Sequence, residues 1–399
     1  MSALYFYDDV RARQFEPFAL TRPACELRAG SSVIRRRWER ITGLKSAGFI
    51  SSSHLSHFEE DDAPPAVDPK SEIPAGSVIV NTRCILPLDS QLDGFDLLMC
   101  DGSACAVKLA RGLPASQFAD GAVDLGAIQT SLGGRKVKGR WINEIWELVG
   151  TLVEQLTEDI PLRAKSLSKI ATHRAEVMGD HPVFVEDGAE IGPQVVLDAS
   201  DGPILVRKGA VIRPFTYLVG PISVGRGTQI MGARVAASSL GDHCKIRGEF
   251  NNSLVLGHSN KGHTGFVGHS YLGRWVNLGA LTTTSNLKNT YGPVHMWTPT
   301  GVRDTGQQFL GTLFGDHAKT GIGLMISTGT VIGAGANIFG SSAPTVVPPF
   351  AWGDSEPYET FEITKFLTVA ERVMARRDVK LGEKARKHLT EVHQRRWSV

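Results

Sequence analysis

Arg22 and Arg28 flank an irregular stretch, residues 15–30 (FEPFALTRPACELRAG), which follows the apolar run from Ala3 to Tyr7 and its stop at Asp8-Asp9. Next comes SSVIRRRWERITG, in which Val33, Ile34, Trp38 and Ile41 recur at helical spacing; Ser31 or Ser32 is placed to cap the start and Gly43 the end. Strand, loop and helix N-terminus in that order can hold a phosphate, because the first N–H groups of a helix lack intrahelical partners. Two guanidinium groups beside such a loop can clamp phosphate oxygens in pairs. The same arginines serve equally as surface ion-pair partners, and no glycine-rich fingerprint decides between the readings. The triplet Arg35 to Arg37 reads as a solvated helix face or a phosphate contact rather than a polybasic tract.

Histidine is the second candidate. Six of the 12 histidines (His243, His258, His263, His269, His295 and His317) fall between 243 and 317. Metal ligation would call for zinc-type spacing, which is absent. Gly-Asp-His occurs at 241–243 and again at 315–317, marking His243 and His317 as corners of a repeat, and any metal ligands stay unknown.

The element that must position these groups is a six-residue beat. It runs through Phe266, Leu272, Leu278 and Thr284; through Val185, Ile191 and Leu197; and through Val206, Ile212, Leu218, Val224 and Ile230. Leu240 and Ile246 continue it, as do Phe314, Thr320, Ile326, Ile332 and Ile338. Helices repeat near 3.6 residues and sandwich strands alternate by two, so neither holds this beat. At about 3.3 Å per residue a hexad makes one short face and a corner of a three-sided prism. One aliphatic per face points inward and stacks on its copy in the next coil, so several coils are needed to bury the apolar surface. The phase slips around 248–263, and the polar stretch 285–310 departs from it, as binding insertions in repeat proteins do.

Ahead of the prism, 77–87, 93–100 and 106–110 are strand-like, 59–76 is an acidic, proline-rich loop, and 141–160 is an amphipathic helix closing a first domain. The expected layout is an α/β domain over 1–165, a linker with a helix-like segment over 166–182, a parallel β-helix over 183–352, and two helices capping the prism over 353–399. A net charge of +2 on 399 residues gives no nucleic-acid face. Five scattered cysteines without CxxC spacing argue against disulfides and zinc and for a reducing cytoplasm. No apolar run suggests a signal peptide or a membrane span.

Residues 183–352 resemble the left-handed β-helix of hexapeptide acyltransferases, and within it the acetyltransferase half of GlmU enzymes. The pattern H-x-x-[YF]-L-G, V-N-I-G-A-G-T and C-N-Y is similar to His263-Thr-Gly-Phe266-Val-Gly268, Val276 to Thr282, and Ser285-Asn286-Leu287, with the spacing kept. The whole chain is similar to a divergent GlmU-like family with a TRP-x-x-x-[LI]-R-x-G segment (Thr21 to Gly30), an EKW-like helix start (Trp38-Glu39), HSYLG…WVNLGA…SNLKN-x-Y (His269 to Tyr291) and VPPFAWG (Val347 to Gly353).

That resemblance implies a sugar-1-phosphate nucleotidyltransferase joined to an acetyl-CoA-dependent N-acetyltransferase, of the kind that makes UDP-N-acetylglucosamine. By it His263 is the catalytic base, Asn277 and Asn286 hold the sugar, and Gly279, Ala280 and Thr282 line the acetyl-CoA groove. In the first domain it implies sugar 1-phosphate and nucleoside triphosphate or UDP-sugar as ligands, with Arg22, Arg28 and Gly30 as substrate contacts and Arg11 or Arg13 as further phosphate contacts. Mg²⁺ is implied there as well, with Asn81 standing where a metal-binding aspartate is expected. A homotrimer is implied too. The sequence departs from the pattern where YDDVRARQFEPF replaces the family's glycine-rich loop, Ala24 its lysine after proline, Phe266 its tyrosine and Leu281 a glycine. Those departures leave two alternatives open: a binding or scaffold protein with a degenerate first domain, or an acyltransferase alone.

Overall fold

The computed structural model describes residues 2–128, 134–165 and 175–398. The chain forms two compact units, Met1–Ile145 with Gly382–Arg395, and Trp146–Leu381 with Arg396–Val399.

The first unit is built on a six-stranded mixed sheet, in the order Arg135–Lys136, Leu97–Cys100, Ser103–Lys108, Val78–Asn81, Leu4–Tyr7, Ser46–Ile50. Leu4–Tyr7 sits between two parallel partners, Ser46–Ile50 and Val78–Asn81, and its Leu4, Phe6 and Tyr7 are fully buried. The helix expected after the arginine loop spans Ile34–Thr42 and ends on Gly43, whose φ of 68° is the left-handed C-cap that glycine adopts without strain. Neither Ser31 nor Ser32 caps its start. Ser32–Val33 instead pairs with Arg28–Ala29 as a two-residue hairpin, and Val33 takes the cap position without a side-chain bond. Arg35 and Arg37 correct the solvated-face reading, for both are buried and only Arg36 reaches solvent.

The second unit contains the prism. It is a left-handed parallel β-helix. One face holds six strands from Ala175–Met178 to Phe266–Gly268, a second nine from Val183–Val185 to Val346–Val347, and a third ten from Glu190–Ile191 to Glu359–Thr360. The inward columns are continuous. On the second face Val185, Val206, Val224, Leu240, Val255, Leu272, Phe314, Ile332 and Val347 follow one another in register. On the third face Ile191, Ile212, Ile230 and Ile246 stack in register, and Lys261 follows Ile246.

Three details differ from the sequence reading. Phe266 is not the inward residue of its strand; Val267 is, stacked on Phe250 and wholly buried. The beat slips because Val235 follows Ile230, and Leu240 follows Val235, after five residues rather than six, as the register with Leu218 and Val224 shows. Residues 141–160 do not close the first domain: the helix Leu152–Ala164 belongs to the second unit, where it lies against Ile204–Val206 and Ile222–Val224 with Leu152, Leu156 and Ile160 buried.

Of the linker expected over 166–182 with its helix-like segment, residues 166–174 lie outside the described residues, and Ala175–Met178 is a strand. Of the two C-terminal helices, Ile363–Ala375 covers the last coils, with Phe366 edge-on to Phe350 at 4.9 Å and to His317 at 5.7 Å. The second, Glu383–Gln394, belongs to the first unit, because its buried His388 is bonded to the Thr21 carbonyl at 2.8 Å and stands edge-on to Phe58. Among the described residues no helix is long and apolar enough to cross a membrane.

Candidate functional sites

On the β-helix, the residues singled out by the motif fall around two stacked corners. His263 is exposed on the corner between Asn260–Lys261 and Phe266–Gly268. Directly beneath lies the corner of the next coil, and the Leu281 N–H donates to the Thr264 carbonyl at 2.8 Å. Asn277 stands on the strand entering that lower corner, its Oδ1 accepting from Asn260 at 2.8 Å. Asn286 follows the strand leaving it, and its Nδ2 lies 2.7 Å from Nδ1 of His269.

His269 is the residue that the sequence reading passed over. Its φ of 46° places it at a left-handed corner, and its ring stacks on Phe309 of the inserted loop at 5.3 Å. Burial pushes the imidazole down to about 4, so it is neutral at pH 7. An amide N–H given to Nδ1 leaves the ring proton on Nε2, which makes this histidine a hydrogen-bond donor at its free edge. A Cβ on Gly268 would stand 2.7 Å from the Asn286 Nδ2 and 2.4 Å from the Phe266 ring, so Phe266, His269, Asn286 and Phe309 are one cluster. The signal was the HSYLG run, but spacing to the asparagines had selected His263.

Gly279 and Thr282 are occupied by coil stacking. A Cβ on Gly279 would lie 2.3 Å from the Gly321 carbonyl oxygen, and its N–H donates to Thr320. Thr282 is fully buried, with its hydroxyl 2.7 Å from that of Thr320. Ala280 is half-buried and Leu281 is exposed.

In the first unit the arginines are already engaged. Arg22 is buried and holds both carboxylate oxygens of Glu60, at 2.7 and 3.2 Å. Arg28 is buried and donates to the Ser31 carbonyl across the turn at Gly30, whose φ is 57°. Arg13 bonds the carbonyls of Asp8, Ala119 and Phe118, and Arg11 pairs with Glu144. Arg35 is tied to Glu26, and Arg37 to the carbonyls of Leu86 and Ala29.

Asp8 and Asp9 end the central strand. Burial pushes the Asp8 carboxyl up, against hydrogen bonds from Ser51, Thr82 and the Ala24 N–H. Burial works the same way on Asp9, but hydrogen bonds from Arg83 and Asn81 outweigh it and hold that carboxyl below its ordinary range.

Residues 4–167 match the family model described as sugar nucleotidyl transferase. This part of the chain is thus similar to sugar nucleotidyl transferases over those residues. The bifunctional protein GlmU of Desulfitobacterium hafniense is 30% identical over 204 residues, covering 45% of this chain and 42% of that protein. A bifunctional sugar-1-phosphate nucleotidylyltransferase/acetyltransferase of Sulfurisphaera tokodaii is 28% identical over 171 residues, 40% of each chain. GlmU of Methanocaldococcus jannaschii is 28% identical over 217 residues, covering 52% of this chain and 47% of its own. The chain thus spans less than half the length of these curated relatives.

Mg²⁺ does not fit the first unit as its side chains stand. The Asp9 carboxylate is closed by Arg83 and Asn81, and that of Asp8 by Ser51, Thr82 and Ala24. Among the described residues no group of three His, Cys, Asp or Glu is placed to hold a metal ion. For acetyl-CoA, the segment 279–282 offers surface at the half-buried Ala280 and the exposed Leu281, whereas the N–H groups of Gly279 and Leu281 are spent between coils and that of Thr282 on the Gly279 carbonyl within the corner.

Proposed function

We propose that the β-helix half transfers an acetyl group from acetyl-CoA to the amine of a sugar phosphate, with His263 as the base. The observation that carries this reading is the stacked pair of corners, which sets the exposed His263 above the 279–282 segment, with Asn277 on the strand entering the lower corner and Asn286 just past the strand leaving it. The amine nitrogen forms a bond to the thioester carbonyl carbon, the proton lost from nitrogen goes to the imidazole, the carbon–sulfur bond breaks, and the imidazolium returns that proton to the sulfur so that CoA leaves as thiol. Histidine is suited to this because its ordinary pKa lies near neutrality. The neutral His269, through Asn286, adds a second polar anchor for the sugar.

The nucleotidyl transferase domain binds the sugar nucleotide or its precursors. The engagement of Arg22 with Glu60 and of Asp9 with Arg83 favours binding over turnover there. The assembly is a homotrimer, and the five unbridged, buried cysteines support a place in the reducing cytoplasm. Incubation with a panel of sugar 1-phosphates, nucleoside triphosphates and acyl-CoAs, read by mass spectrometry, tests the reading. Acetylated sugar phosphate is the expected product, and CoA release with no acceptor in the panel modified refutes it. Light scattering at micromolar concentration is expected to give three times 43.1 kDa.

A further inference from the structure

The inward column of the third face carries a charged side chain in its apolar stretch. Ile191, Ile212, Ile230 and Ile246 lead down to Lys261, and Leu278 lies in the coil below. Lys261 has no exposed surface at all. A buried ammonium is costly unless each donor is used, and neighbouring coils fill the same place with an aliphatic side chain. Its Nζ finds its acceptors in the corner that follows, donating to the carbonyls of His263 at 2.5 Å and Thr264 at 2.7 Å.

The Thr264 carbonyl is the same one that accepts the Leu281 N–H from the coil below. One oxygen therefore joins the amine inside the prism, the corner bearing His263, and the corner at 279–282. Packing around it is close, since a Cβ on Gly265 would lie 2.9 Å from the amine and 2.2 Å from the Thr282 carbonyl oxygen. Burial draws the amine down to about 8, which still leaves it mainly charged at pH 7.

We propose that Lys261 is a positioning residue: an internal brace that fixes the corner carrying His263 over the segment at 279–282. It touches no substrate and acts through the backbone of residues 263 and 264. The proposal rests on the reading of His263 as the base, and its test separates the two.

The variant is Lys261→Met in the full chain, which keeps the length of the side chain and suits the apolar column. Thermal melting is expected to be unchanged or raised. Hydrogen–deuterium exchange of peptides covering 262–282 is expected to rise about tenfold, because the corner loses two of its tethers. With acetyl-CoA and glucosamine 1-phosphate as probes, kcat is expected to fall by about 10- to 100-fold with KM for acetyl-CoA within about twofold, the pattern of a displaced base rather than a damaged fold. Lys261→Gln, which keeps a donor, is expected to lie between, and it takes over the test if the methionine variant does not fold. Exchange in 262–282 equal to the wild type in a folded variant overturns the brace, whatever the activity. Full activity in His263→Ala removes the base assignment and leaves the exchange result standing on its own.

Discussion

The amide Nδ2 of Asn286 meets Nδ1 of His269 at 2.7 Å, while the imidazole lies flat on the ring of Phe309. A corner residue and two residues from opposite ends of the long insertion are thereby fixed to one another. The pair also sets a pH response. The folded imidazole, at about 4, lies below the ordinary value of 6.5, so between them the unfolded chain binds more protons than the folded one. Stability from this group is complete above pH 6.5 and is lost as pH falls towards 4; the gap corresponds to at most about 3 kcal/mol. Urea denaturation at pH 7 and pH 4.5 should show that loss. His269→Asn, which tolerates a left-handed corner, should flatten this part of the profile, and an identical profile in the variant excludes His269 as its source.

His263 is exposed, and among the described residues its side chain makes no hydrogen bond or ion pair. His263→Ala should therefore melt within about 1 °C of the wild type while acetyl transfer falls by about 10²- to 10⁴-fold. A parallel loss of melting temperature and activity would show that the corner, not the base, had been damaged.

Gly279 discriminates coil packing from ligand binding. In Gly279→Ala the new methyl meets the backbone of Gly321 and Ile322 at 2.3 to 2.9 Å, and neither can give way without moving a coil. The expected cost is about 1–3 kcal/mol, read as a lower urea midpoint. A variant that keeps its stability and instead raises KM for acetyl-CoA would assign the glycine to the groove.

Magnesium should leave the first unit unmoved. A ligand present at 100 times its Kd stabilises by about 2.7 kcal/mol, so several degrees of melting temperature are at stake. With both carboxylates enclosed in internal hydrogen bonds, millimolar MgCl₂ and EDTA should give the same melting curve. A rise with MgCl₂ that Asp9→Asn abolishes would show that Arg83 yields its partner to a cation.

The repeat was legible in the chain because an aliphatic column tolerates few residue types: Val206, Ile212, Leu218, Val224 and Ile230 announce themselves by type and beat. From Ile230 onward the corners shorten, so a fixed count of six passes over Val235, Phe250 and Val255 and lands on Phe266 in place of Val267. A count of six also gives no reason to look at Lys261, because a lysine reads as exposed unless the carbonyls that receive it are known. The last helix was misplaced for a related reason. His388, Leu389 and Val392 form an apolar stripe that says the helix packs, and only the contacts of His388 with Thr21 and Phe58 say against what.

By itself the sequence determined the coil, a likeness of its first part to sugar nucleotidyl transferases, and a short set of polar residues at fixed spacing. Periodic burial of aliphatic side chains is a local rule, repeated, and needs no knowledge of distant partners. The tertiary structure alone decided which polar groups meet: Asn286 with His269, Arg22 with Glu60, and Lys261 with the carbonyls beneath His263. A buried polar atom takes whichever partner the folded backbone brings within about 3 Å, and that distance is not written in the spacing of the residues.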